Sequence, residues 1–150
     1  MERSLVLIKP DAIQRGLAGM IISRLERRGL KIVAMKMFQM DKTLAQHHYA
    51  VHKGKAFFDG LVDFITSSPI IAAIFEGERA IELVRQTMGE TDPGKATPGT
   101  IRSDFGLDIG HNLVHGSDSV ENANREISLF FSPEEISAYS RDIDRWITEA

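Results

Sequence analysis

With no cysteine anywhere in the chain, any covalent step falls to Ser, Thr, Lys, a carboxylate or His. The same absence removes thiolate zinc sites and iron–sulfur clusters. Five histidines are present: His47, His48, His52, His111 and His115. The first three sit on or beside a polar helical stretch and read as exposed helical histidines. His111 and His115 are four apart, a metal-ligand spacing on a helix. Here the intervening residues read as loop and strand, and no third ligand recurs nearby. His115 has a different setting, because it ends a short apolar run and is followed by Gly116-Ser117-Asp118-Ser119 and a capped helix. Glycine there allows a ligand to approach the backbone closely, and the coming helix offers free N–H groups near its start. A largely neutral imidazole can attack phosphorus without an added base. The bland alternative is a hydrogen-bonded histidine at a strand end. A second candidate is a decoy: Gly89-Glu90-Thr91-Asp92-Pro93-Gly94-Lys95 fits G-x-x-x-x-G-K, but Ala96 stands where the magnesium-binding Ser or Thr belongs. It also follows a helical pattern rather than a strand.

The elements that must position these residues are legible in outline. Leu5 to Ile8 reads as a short buried strand stopped by Pro10, and Asp11 with Gln14 has capping-box spacing for a turn closing at Gly16. Ile21, Ile22 and Leu25 mark an amphipathic helix ending at Gly29, and Lys31 to Met40 reads as a second strand. Thr43 with Gln46 opens another helix, and Phe57, Phe58, Leu61, Val62, Phe64 and Ile65 form a helical stripe up to Pro69. Ile70 to Phe75 is a strand apolar on both faces, followed by a helix through Ile81, Val84 and Met88. Residues 89–116 then hold half of the 12 glycines, the mark of a long loop with a function. Leu113 to His115 is a fourth strand, Asp118 and Glu121 cap a helix, and Ser132-Pro133-Glu134-Glu135 is a start signal for a last one. The order β-α-β-αα-β-α-loop-β-α-α predicts an α+β, ferredoxin-like split βαβ fold. It carries a four-stranded antiparallel sheet covered by helices, a long loop near residues 89–112 and a C-terminal helical extension.

A chain of 150 residues is the length of one domain, expected to span 1–150. At that size it buries roughly 68–70% of its unfolded surface without disulfide or metal support. Net charge −3 and pI near 5.9 argue against a general nucleic-acid binder, so phosphate binding has to rest on a few local cations. Leu5 to Ile8 is too short for a secretory core, and Ile70 to Phe75 is far below the ~20 residues of a membrane span. A cytoplasmic protein is the expectation.

Asn112-Leu113-Val114-His115-Gly116-Ser117-Asp118-Ser119 resembles the N-x-x-H-G-S-D-S signature of nucleoside diphosphate kinases. Lys9-Pro10-Asp11, Gln14-Arg15-Gly16, Pro98-Gly99-Thr100-Ile101-Arg102 and Ser132-Pro133-Glu134-Glu135 resemble the same family in the same order, across essentially the whole chain. The resemblance implies ping-pong transfer of a γ-phosphate from a nucleoside triphosphate, typically ATP, to a nucleoside diphosphate. His115 would be phosphorylated, with Glu126 orienting its ring and Ser117 nearby. Lys9, Arg85, Arg102 and Thr91 would hold the phosphates, and Mg²⁺ carried by those phosphates would complete the charge balance. The base would stack between Phe57 and Ile109 under Leu61, Lys9 and Asn112 would contact the ribose, and Tyr49 and His52 would lie near the phosphates. Taken alone, Glu126 and Arg85 read as solvated helix residues, Arg102 as a loop charge, and Phe57 as core. Two residues depart from the family's usual pattern, His111 where arginine is common and Ser103 after Arg102. Neither touches the proposed chemistry.

The family also implies a homo-oligomer, and a C-terminal stretch Ser140–Ala150 carrying Ile143, Trp146 and Ile147 favours a hexamer over a tetramer. The competing class is a non-catalytic nucleotide-binding or scaffold relative of the same fold. The complete set Lys9, Arg85, Arg102, Asn112 and His115 favours the enzyme.

Overall fold

The computed structural model describes residues 1–149. Its frame is a four-stranded sheet in the order β2-β3-β1-β4, every neighbouring pair antiparallel. The strands are β1 (Glu2–Ile8), β2 (Lys31–Phe38), β3 (Ile70–Gly77) and β4 (Val114–Gly116). The helices are α1 (Pro10–Gln14), α2 (Ala18–Arg27), α3 (Lys42–His48), α4 (Phe58–Ile65), α5 (Ala80–Met88), α6 (Ile101–Phe105) and α7 (Val120–Phe130). This is the expected split βαβ arrangement.

The two central strands are buried on both faces, which is why each reads as an unbroken apolar run. Side chains alternate across a strand. Val6 and Ile8 of β1 therefore join Ala73 and Phe75 of β3 in one core, closed by Ile21 and Leu25 of α2 and Val84 and Met88 of α5. Leu5 and Leu7, with Ile70, Ala72 and Ile74, face the other core, under Ala45 of α3, Val62 and Ile65 of α4 and Phe130 of α7. Burying a Leu or Ile side chain is worth about 1.5–3 kcal/mol, so these two layers fix the register from which the site hangs.

Several start signals act differently from their sequence reading. The N-cap of α1 is Lys9, and Asp11 lies inside the first turn with its carboxylate turned to the Leu113 backbone. Gln14 donates to Ser68 Oγ instead of closing a capping box. Asp41, not Thr43, caps α3 by accepting from Leu44 N, and Ser119, not Asp118, caps α7 by accepting from Asn122 N. In each case the residue with extended backbone just before the first turn takes the role.

The segment expected as a long loop is folded into the 3₁₀ turns Pro93–Lys95 and Ile109–His111 with the short α6 between them. The Ser132 capping box forms, but it opens only the 3₁₀ turn Pro133–Glu135. The C-terminal extension is helical only as the turn Asp144–Trp146, whose backbone bonds stay within residues 141–148, and the chain before it is held out along β2 by Ser137 and Tyr139. The β2–β3 pairing has a bulge between Ile32 and Ala34, and Val33 O accepts from Ser137 N at 2.8 Å. Tyr139 Oη donates to Ile32 O, and the Arg141 guanidinium binds Gly29 O and Leu30 O. The last residue of the expected extension, Ala150, lies outside the described residues. No helix among the described residues is long and apolar enough to cross a membrane.

Candidate active site

Pairing of β4 with β1 sets Leu7 opposite His115 and Ile8 opposite Val114. That single register brings the end of β1 beside the end of the folded loop, residues more than a hundred apart in sequence. Lys9 follows β1 directly, its amide bonded to Leu113 O at 3.0 Å and its Nζ donating to Asn112 Oδ1 at 2.7 Å. Asn112 is buried and donates through Nδ2 to Thr91 O at 2.9 Å. Burial, and secondarily the charge of Arg102, lower the Lys9 ammonium to about 8, against a rise from Asp11. It is still a cation at neutral pH.

Helix α7 packs against β1 and carries Glu126 up to His115. His115 Nε2 lies 3.0 Å from Glu126 Oε2, while Ser117 Oγ donates to Oε1 at 2.7 Å and accepts from Leu5 N. Burial pushes the Glu126 carboxyl up, but the His115 hydrogen bond and charge, the Ser117 hydroxyl and His48 outweigh it and hold the group below its ordinary range. An ionised Glu126 requires the hydrogen on Nε2. In the neutral imidazole that places the lone pair on Nδ1, which makes no hydrogen bond among the described residues. The reading of Glu126 as a solvated helix glutamate is excluded, since it is 5% exposed.

A cleft of about 960 Å³ opens over His115, and every residue proposed above for the nucleotide lines it except Ser117, which supports it from below. Tyr49, Phe57, Leu61 and Ile109 line it with apolar and aromatic surface. Phe57 is 52% exposed and Ile109 57%, so Phe57 is not core, and both apolar faces are open to a flat ring. Arg85 of α5, Thr91 and Arg102 of α6 also line it. Arg102 is buried and already donates to Asn112 O, Gly89 O and Val114 O. Five N–H groups with three used leave two for an anion. Burial and the neighbouring Arg85 lower its guanidinium to about 10, which leaves it charged.

One residue of this site departs from its sequence expectation. His48 is not an exposed helix histidine: it is 4% exposed, with its ring edge-on to His115 at 4.8 Å and to Phe130 at 5.5 Å. Its spacing from Leu44, one helical turn earlier on the buried side, is the signal that could have found it. His111 lies outside the cleft, its ring 5.0 Å from Phe64. Lys95 also lies outside it, exposed on its 3₁₀ turn, so the G-x-x-x-x-G-K run is a surface feature. Gly116 gives its missing side chain's room to α5, not to a ligand: a Cβ there would meet Val84 Cγ1 at 2.8 Å and Met88 Sδ at 2.9 Å.

His48, His115 and Glu126 offer three donor atoms within 4.8 Å of one another. Two imidazoles and one carboxylate suit a borderline ion such as zinc. A hard cation such as magnesium takes oxygens and keeps its waters. The exposed Asp118 carboxylate on the cleft wall is such a donor, so a hard divalent ion fits there, held mainly by phosphate oxygens, and not among the imidazoles.

The family model described as Nucleoside diphosphate kinase matches residues 2–136. A nucleoside diphosphate kinase of Roseiflexus sp. (strain RS-1) is 57% identical over 149 residues, covering 99% of this chain and 100% of that one. Among solved structures, a nucleoside diphosphate kinase from Halobacterium salinarum in complex with CDP is 52% identical, with a TM-score of 0.95 and 98% of each chain covered. A nucleoside diphosphate kinase family protein from Babesia bovis is 42% identical with a TM-score of 0.96, covering 99% of this chain and 100% of that one.

Proposed function

The chain belongs to the nucleoside diphosphate kinase family, and we propose that its phosphoryl group passes through Nδ1 of His115. The enzyme transfers the γ-phosphate of a nucleoside triphosphate, typically ATP, to a nucleoside diphosphate, and so maintains nucleoside triphosphate pools. The observation that carries the His115 assignment is the hydrogen bond beneath the ring: Glu126 holds Nε2–H at 3.0 Å, which leaves Nδ1 free of a partner in a residue that lines the cleft.

In the first half-reaction Nδ1 attacks the γ-phosphorus, the N–P bond forms, and the bond to the β–γ bridging oxygen breaks. The nucleoside diphosphate leaves with that electron pair. Nε2 keeps its hydrogen, and Glu126 balances the positive charge that grows on the ring. A second diphosphate then attacks the phosphorus through a terminal oxygen, the N–P bond breaks, and His115 returns to its neutral form. Lys9, Arg85 and Arg102 offset the charge spread over the phosphoryl oxygens, which is most of what such a transfer demands. Thr91 lies beside them in the cleft.

The family requires a divalent cation, which supplies further charge neutralisation on the phosphates. Mg²⁺ is the reading we favour, held mainly by the phosphates, with the exposed Asp118 carboxylate in the cleft as a protein oxygen that could join them. The base is stacked between Phe57 and Ile109 over Leu61, a contact every base can make, and Lys9 and Asn112 reach the ribose hydroxyls. Tyr49 borders the phosphates. Residues 1–150 act as one catalytic domain in the cytoplasm, assembled as a homo-oligomer with a hexamer favoured over a tetramer. The support for assembly is the extension itself, which leaves Ile143 54% and Trp146 78% exposed.

The test uses γ-labelled ATP alone. The protein should take up an acid-labile, base-stable phosphate that any added nucleoside diphosphate removes. Labelling that survives His115→Ala would overturn the assignment.

A further inference from the structure

Leu113 has φ of +76° although it is not glycine, and it is fully buried. Val114 N bonds to Asn112 O at 2.9 Å across it, so the three residues form a γ-turn of the positive-φ kind, the rare and strained form. The turn sits between Asn112, which grips Lys9 and Thr91, and His115, two residues further on. Strain of this sort persists only where the surroundings over-determine it. Burial of the Leu113 side chain fixes its position, but the orientation of its peptide depends on polar partners. The Leu113 carbonyl is held by Lys9 N at 3.0 Å, and the Leu113 N–H by Asp11 Oδ2 at 3.0 Å.

Asp11 is well placed for that task and for no other evident one. It does not cap α1, and among the described residues its side chain makes no ion pair within 4.0 Å. Its second oxygen, Oδ1, is buried without a hydrogen-bond partner. A carboxylate kept half unsatisfied is costly unless its other oxygen does something the fold needs. An acceptor oxygen held 3.0 Å from the strained N–H meets that need by its position.

We propose that Asp11 is a positioning residue of the phosphoryl transfer: its carboxylate locks the strained Asn112–Val114 turn and thereby sets Asn112 and the His115 ring against Lys9. The inference rests on His115 as the phosphoryl acceptor. Without the Asp11 acceptor, the Leu113 peptide relaxes towards negative φ. Asn112 then turns away from Lys9 Nζ, and His115 Nδ1 loses its line to the γ-phosphorus. A small misplacement of reacting groups is costly in rate.

A crossed pair of variants separates geometry from charge. Asp11→Asn keeps an acceptor oxygen in place and removes the charge beside Lys9, whereas Asp11→Glu keeps the charge and displaces the acceptor by one methylene. Each is compared with wild type in single-turnover labelling by γ-labelled ATP, with the ATP dependence of the rate resolved into affinity and maximal rate. The Leu113 amide proton is followed by hydrogen exchange.

Asp11→Glu should lose about ten- to a hundred-fold in maximal labelling rate with faster Leu113 exchange, and Asp11→Asn should stay within about three-fold. Asp11→Ala should match Asp11→Glu; if it fails to fold, the crossed pair decides alone. Wild-type rates in Asp11→Glu, or equal losses in both members of the pair, overturn the proposal. Wild-type protein that labels elsewhere than His115 overturns the site assignment instead, so the two failures are distinct.

Discussion

Burial keeps His48 neutral between the His115 ring and the Glu126 carboxylate, and this sets how the protein responds to acid. Desolvation, then the neighbouring His115, lower its pKa to about 3, with Glu126 opposing. An unfolded histidine titrates near 6.5. Between those values the unfolded chain binds a proton that the native chain refuses, so stability rises with pH across the window and is lost on acidification. Urea unfolding should show wild type losing stability between pH 6.5 and pH 4, and His48→Gln losing less across the same range. Equal slopes would mean that the loss comes from other groups, Glu126 first. His48 Nδ1 is buried without a hydrogen-bond partner and stands 4.0 Å from Glu126 Oε2. Protonating it would set a cation against the carboxylate that holds the His115 ring.

At the scale of elements, the close approach of α5 to β4 decides where Arg85 stands. Gly116 allows it, because the space for a Cβ is filled by Val84 and Met88, the residues flanking Arg85 on that helix. Met88 can shift its flexible end, but the Val84 methyl cannot. Gly116→Ala should therefore destabilise the fold by about 1–3 kcal/mol, measured by urea denaturation. It should also raise the KM for nucleotides more than it lowers kcat, since a displaced α5 withdraws a phosphate-binding cation. Unchanged stability would show that the helix can move aside without cost. The elements also show how far local pattern reaches. The apolar runs of β1 and β3 were legible because burial on both faces leaves no polar positions. The final helix was misjudged because a capping box opens a helical turn but cannot sustain one. The Val33 bulge and the bonds of Ser137, Tyr139 and Arg141 to the β2 side draw that chain out straight.

For the whole molecule, the tail docks on its own subunit through backbone and arginine contacts while Ile143 and Trp146 remain on the surface. Exposed apolar side chains beside a docked backbone are what a contact between copies would cover. Light scattering on the full chain should return six times the 16.7 kDa of one chain. A mass of four chains or fewer would remove the tail from the account of assembly.

What the amino-acid sequence determined by itself was the set of candidate groups: a histidine followed by Gly-Ser-Asp, the scarce cations, and the apolar runs that become the central strands of the sheet. The Asn112–Ser119 run made His115 legible because its motif is contiguous. What only the tertiary structure decided was partnership. Glu126 beneath His115, Lys9 against Asn112, His48 inside the core and Asp11 on the Leu113 amide all join residues from distant elements. Sequence periodicity reports which face of an element is apolar. It does not report which polar group waits there, and a side chain's protonation and orientation are set by that partner.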